Sequence, residues 1–130
     1  MIWLFTSLFQ WTLLFIQPEY PYELSLNFEK IDNQVNILVD DTLVYTSGVI
    51  DDNPELELSV DLKQYISANS KAFTIQLING DPENPYMEDL HWEIRFEVMK
   101  DNQPVDFVWE FADDAETGEV LSLTYQLNQL

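Results

Sequence analysis

From Tyr20 onward the apolar residues recur at every second position, which is the mark of strands with one face buried. Leu24, Leu26 and Phe28 alternate with Glu23, Ser25, Asn27 and Glu29. Val35, Ile37 and Val39 follow, then Leu43 to Tyr45 after the Asp40-Asp41-Thr42 break. Leu56, Leu58, Val60 and Leu62 form the next run, and Phe73, Ile75 and Leu77 the one after. The cleanest alternation sets Leu90, Trp92, Ile94, Phe96 and Val98 against His91, Glu93, Arg95 and Glu97. Val105, Phe107, Trp109 and Phe111 come next, and Leu121, Leu123, Tyr125 and Leu127 close the series. Read this way, Trp92, Trp109, Phe107 and Phe111 all lie on core faces.

Punctuation supports the same division. Gly48, Gly80, Gly118 and Pro18, Pro21, Pro54, Pro82 and Pro85 fall between the runs, and Pro104 is placed in the turn Asp101 to Pro104. Short strands at turn-bounded intervals, without helical periods between them, predict an all-β fold. The expected form is a two-layer antiparallel β-sandwich, jelly-roll-like, of seven or eight strands over residues 18–130. Gln64 to Lys71 supplies one short helical turn at most.

Residues 1–17 break the pattern. They carry no charged side chain; the first charge is Glu19. The run suits the apolar part of a signal peptide or anchor and falls short of the roughly 20 residues of a comfortable bilayer span. No Lys or Arg precedes it, and a helix packed into the fold or lying at an interface fits the spacing of Thr6, Gln10 and Gln17 as well. The expectation is an exported or envelope-tethered protein, with a cytoplasmic one as the alternative and membrane contact only through this segment.

Composition then narrows the function classes. Hydrophobic residues make up 46% of the 130 and aromatics 14%, enough for burial to offset chain entropy in one domain. Against 24 acidic residues stand only five basic ones, a formal charge of −19. Such a field repels phosphates, which argues against direct nucleic-acid binding and electrostatic membrane docking. It favours cations, basic protein surfaces or neutral sugars. Cysteine is absent, which removes disulfides and thiol chemistry.

Catalytic candidates are few. His91 is the sole histidine, and beside Glu93 it could act as a base or a ligand. An exposed strand residue is the commoner explanation of such a pair. No Gly-x-Ser-x-Gly elbow or phosphate-cradling loop is present. A paired-carboxylate hydrolase would need one acid in a dry cleft, whereas these acids cluster in turns or point outward. Calcium could be held by turn-borne acids, with Asp113, Asp114 and Glu116 the leading set, although Asp in turns often serves only to cap them. The longest loop, Asp81 to Asp89, sets Tyr86 among Asp81, Glu83, Asn84 and Asp89, a candidate sugar platform on a rigid scaffold. Tyr20, Tyr22, Tyr45 and Tyr65 are further tyrosines of that kind.

Two stretches carry family likenesses. The run Val35 to Tyr45, followed by Val60-Asp61-Leu62-Lys63-Gln64-Tyr65-Ile66 and by Phe73 to Leu77, resembles the galactose-binding-like jelly-roll domains. That resemblance implies a carbohydrate-binding or accessory module. The turn that commonly carries Gly-x-Asn in that family reads Asn69-Ser70-Lys71 here. Phe111 to Leu121, with its Thr117-Gly118-Glu119-Val120-Leu121 turn, resembles the terminal hairpin of PepSY-type domains, though the helix preceding that hairpin is not evident. The expectation is therefore a non-catalytic binding module for carbohydrate; the alternative is an acidic protein-interaction module, an inhibitor or nucleic-acid mimic, that engages a basic partner, and a carboxylate-based hydrolase is the third option.

Overall fold

The computed structural model describes residues 18–50, 55–81, 83, 90–113 and 116–130. It is an all-β, two-layer antiparallel sandwich of two four-stranded sheets. The strands are β1 (Leu24–Asp32), β2 (Gln34–Val39), β3 (Thr42–Thr46), β4 (Leu58–Asp61), β5 (Ala72–Asn79), β6 (Trp92–Lys100), β7 (Gln103–Ala112) and β8 (Gly118–Gln126). One sheet runs β4-β1-β6-β7 and the other β3-β2-β5-β8. The helical turn expected after β4 is a single 3₁₀ turn, Lys63–Tyr65. Among the described residues no helix is long and apolar enough to cross a membrane. Residues 1–17, where a signal or anchor was expected, lie outside the described residues.

The two-residue period does what it implies in most strands. Leu26, Phe28, Val35, Ile37, Phe73, Ile75, Leu77, Ile94, Phe96 and Val98 are buried between the sheets. Phe28 and Phe96 meet across β1 and β6 with ring centroids 5.4 Å apart. A bulge at Glu29 inserts one extra residue in β1, so that both Phe28 and Ile31 face inward opposite Phe96 and Ile94. Leu90, grouped with the strongest run by its spacing, precedes β6 and is exposed. The β2–β3 and β6–β7 hairpins each turn on two residues of positive φ, Asp40-Asp41 and Asp101-Asn102. Asp and Asn tolerate that left-handed backbone better than other side chains, which is why tight hairpins select them.

One strand departs from the expected pattern. From its turn, β7 pairs Gln103 with Lys100 and Pro104 with Met99. Continued without interruption, that register would set Val105 against Val98, Phe107 against Phe96, and Trp109 against Ile94, all facing the core. Instead Val98 pairs with Asp106, so Val105 is an extra residue and every later position moves by one. Phe107 now lies across from Glu97, Trp109 from Arg95 and Phe111 from Glu93. A one-residue shift sends a strand's whole apolar set to the opposite face. Val105, Phe107, Trp109 and Phe111 are accordingly 44%, 53%, 54% and 57% exposed, while Trp92 is buried. The core assignment of Phe107, Trp109 and Phe111 is thus corrected. Pro104, expected in the turn, is the second residue of β7, beside the bulge on an edge strand, where proline is tolerated.

The segment after β7 is also not a hairpin. β7 pairs with β6 and β8 with β5, so the Ala112–Gly118 stretch crosses between the sheets. At the same end of the sandwich Asn33 makes the equivalent crossing from β1 to β2. It is buried, its Oδ1 accepts from Gly80 N at 2.7 Å, and its main chain bonds Ile78 and Ile50. Replacing Asn33 by Ala leaves the Gly80 N–H without that acceptor. Urea unfolding of Asn33→Ala should show a loss of about 2 kcal/mol, and a loss within error would show that the crossing does not depend on this side chain.

Candidate functional site

The outer face of the β4-β1-β6-β7 sheet joins a row of exposed rings to a charged network. Trp109 Nε1 donates to Glu93 Oε2 at 2.8 Å, a bond between directly paired strands that fixes the indole's orientation. The Arg95 guanidinium lies 5.9 Å from the Trp109 ring centroid, a cation–π approach. Arg95 is itself held in place: its Nη2 donates to Glu55 Oε2 at 2.9 Å, and its Nε forms an ion pair with Glu29 Oε2 at 2.9 Å without hydrogen-bond alignment. The Glu29 that makes this contact is the bulge residue of β1. Trp109 and Phe111 lie 6.0 Å apart with their planes inclined by 43°. Beside them stands Glu97, opposite Phe107.

Each half-exposed ring forgoes on the order of 1 kcal/mol of transfer free energy relative to burial. Scattered exposed apolar residues are ordinary, but a contiguous row rimmed by charge marks an interaction surface. The opposite side of β7 carries Asp106 and Glu110, both exposed, alternating with the partly buried Val108 and Ala112. Across the layers Tyr125 donates to Asp106 Oδ2 at 2.6 Å. Burial first, and then that bond and the charge of Asp106, push the Tyr125 phenol far above its usual range, so it remains a donor.

Of the loop residues singled out from the sequence, the described ones, Asp81, Glu83, Asp113 and Glu116, lie at the end of the sandwich opposite the β6–β7 turn. Asp81 Oδ1 accepts from Glu83 N at 2.9 Å, which is turn capping. Tyr86, Asn84 and Asp89 lie outside the described residues, as does Asp114. The side chain of Asn79 donates to Glu116 O at 3.1 Å, and a Cβ on Gly80 would come within 3.0 Å of Thr117, so the loops after β5 and before β8 touch. Asp113 Oδ1 lies 2.7 Å from His91 Nδ1. Among the described residues no group of three or more His, Asp or Glu side chains is arranged to hold a metal ion.

The row on β7 was concealed in the sequence because alternation shows that a strand has an apolar face but not which side that face is on. The signal that could have located it is Pro104 two residues past a tight turn, the place where a ladder is most easily broken.

His91 ties the end of this face together. Its Nε2 is 3.8 Å from Glu93 Oε1, the carboxylate that also holds Trp109. The hydrogen bond to Asp113 raises its pKa above the ordinary 6.5; partial burial opposes the shift, and the charges of Asp113, Asp32 and Glu93 add to it. A raised value means that the folded state favours the imidazolium. The stabilisation is complete below about pH 6.5 and is lost as pH climbs through the folded-state value. An NMR titration should therefore give a His91 midpoint above 6.5 that falls in Asp113→Asn, and a wild-type midpoint at or below 6.5 would contradict the contact.

Comparison of the chain with protein-family models, with curated proteins and with solved structures returned no match. The face built by β6 and β7 therefore carries the functional reading.

Proposed function

We propose that this chain is a non-catalytic binding module that engages a basic partner protein through the outer face of β6 and β7. The observation that carries it is the row Val105, Phe107, Trp109 and Phe111, apolar and exposed on a chain of charge −19. Aromatic side chains supply contact area at low entropic cost and dominate the centres of protein interfaces. The acids around the row would steer a cationic surface toward it and reject anionic competitors. Glu93 and Arg95 hold Trp109 in one orientation before any partner arrives, which reduces the ordering cost of association.

A second reading, a neutral carbohydrate stacked on Trp109, is favoured by one observation: the indole is exposed with Glu93 and Glu97 as acceptors beside it. The 43° inclination between Trp109 and Phe111 counts against it, because a flat sugar chain is best served by coplanar rings. The same protein would have to use Trp109 alone as its platform.

The two readings respond differently to salt. Immobilised full-length protein can be challenged with peptides bearing lysine and apolar residues and, separately, with neutral polysaccharides. The expected result is peptide retention that falls steeply from low to physiological ionic strength, since surface attraction is screened over about 8 Å there. Phe107→Ala and Trp109→Ala should each weaken retention at least about tenfold while changing stability by less than about 1 kcal/mol, as the rings are not core. Retention of polysaccharide that is indifferent to salt and lost in Trp109→Ala would favour the second reading. Unchanged retention in both variants would remove this face from the function.

A further inference from the structure

We infer that β7 receives its partner by strand addition, and that the partner segment is an extended peptide alternating apolar with basic residues. This rests on the reading that a basic partner uses this face, and it names the form that partner takes. Among the described residues β7 ends its sheet, and no described strand pairs with the other side of its backbone. It is also the longest of the four edge strands, at ten residues against four in β4, five in β3 and nine in β8.

Sheet edges are normally blunted by charge, proline, a bulge or shortness, and β7 carries its proline and its bulge only at the turn end, Pro104 and Val105. β8 turns the polar Ser122, Thr124 and Gln126 outward beside its partner β5. β7 does the reverse. From Val105 to Phe111 its outward positions are all apolar, and its acids, Asp106 and Glu110, occupy the alternate positions. In an antiparallel ladder a residue and the one opposite it point to the same face. A strand added to β7 would thus place apolar side chains beside Phe107, Trp109 and Phe111. Its intervening residues would stand beside Asp106 and Glu110, where lysine or arginine answers the charge. The alternation of β7 specifies the alternation of its partner.

A second copy of this chain does not satisfy that pattern. Pairing β7 with β7 would bring Asp106 and Glu110 of two molecules together, each molecule carrying −19. Residues 1–17 contain no charged side chain and cannot answer either acid.

The test uses the full chain and a synthetic peptide, of β7's length, alternating lysine with valine and phenylalanine. A peptide of the same composition with its lysines in one block separates pattern from charge. Two further versions are N-methylated at alternate residues, one in each phase, so that each loses main-chain donors along one edge. Titration calorimetry should give binding of the alternating peptide at least about tenfold tighter than the block peptide, with one N-methylated phase weakened at least about tenfold and the other little changed. Glu110→Lys should weaken the alternating peptide by a similar factor, and amide exchange should slow in β7 rather than in β3 or β4. If both N-methylated phases bind like the parent, strand addition is wrong while the proposed face stands. If no lysine-bearing peptide binds, both fail. A dimer in sedimentation that the peptide cannot dissociate would overturn the inference in favour of a second copy.

Discussion

The single extra residue at Val105 governs what this molecule presents to solvent. A two-residue turn at Asp101-Asn102 would otherwise set β7 in phase with β6, sending Phe107 and Trp109 into the interior opposite Phe96 and Ile94. With Val98 paired to Asp106, the rings lie instead across from Glu97, Arg95 and Glu93. The side chains of β7 are the same in either register, and only the parity differs. Hydrophobic burial alone would favour the inward arrangement, so the outward one is a feature for which the fold gives up stabilisation. Such local conflicts between sequence pattern and structure tend to mark function.

The rest of the sandwich tolerates this because its core is complete without β7's rings. Phe28, Phe73 and Phe96 are fully buried, and four strands, β1, β2, β5 and β6, supply the central contacts. β7 closes the edge through the smaller Val108 and Ala112 and through the bond from Tyr125 to Asp106. Leu121, Leu123 and Tyr125 on β8 remain partly buried beneath it. The network Glu55–Arg95–Glu29 then stiffens the outer face, so the ring row sits on a rigid support rather than a mobile loop.

How much of this was legible before the structure differs from residue to residue. For β1, β2, β5 and β6 the apolar set of each run is the set that is buried, Leu90 apart, since no alternative face was available to so many large side chains in succession. The tight turns at Asp40 and Asp101 were legible through their chemistry. The phase of β7 was not, because alternation is blind to direction and a bulge is a property of pairing, not of one strand's composition. The crossing after Ala112 was mistaken for a hairpin because Asp and Thr-Gly suit either kind of turn. Asp113 drew attention as an oxygen ligand, yet its partner is the imidazole of His91, twenty-two positions away in the chain. Pairings of that kind follow from which strands become neighbours, a fact no local pattern contains.

If the bulge sets the exposed surface, the β6–β7 register is the quantity to measure. Cross-strand contacts between α-protons, read by NMR on the intact chain, report that register directly. The account predicts that Trp109 lies opposite Arg95 and Phe111 opposite Glu93. Contacts from Trp109 to Ile94 and from Phe107 to Phe96 would place the rings in the core, and the interaction surface described here would not exist.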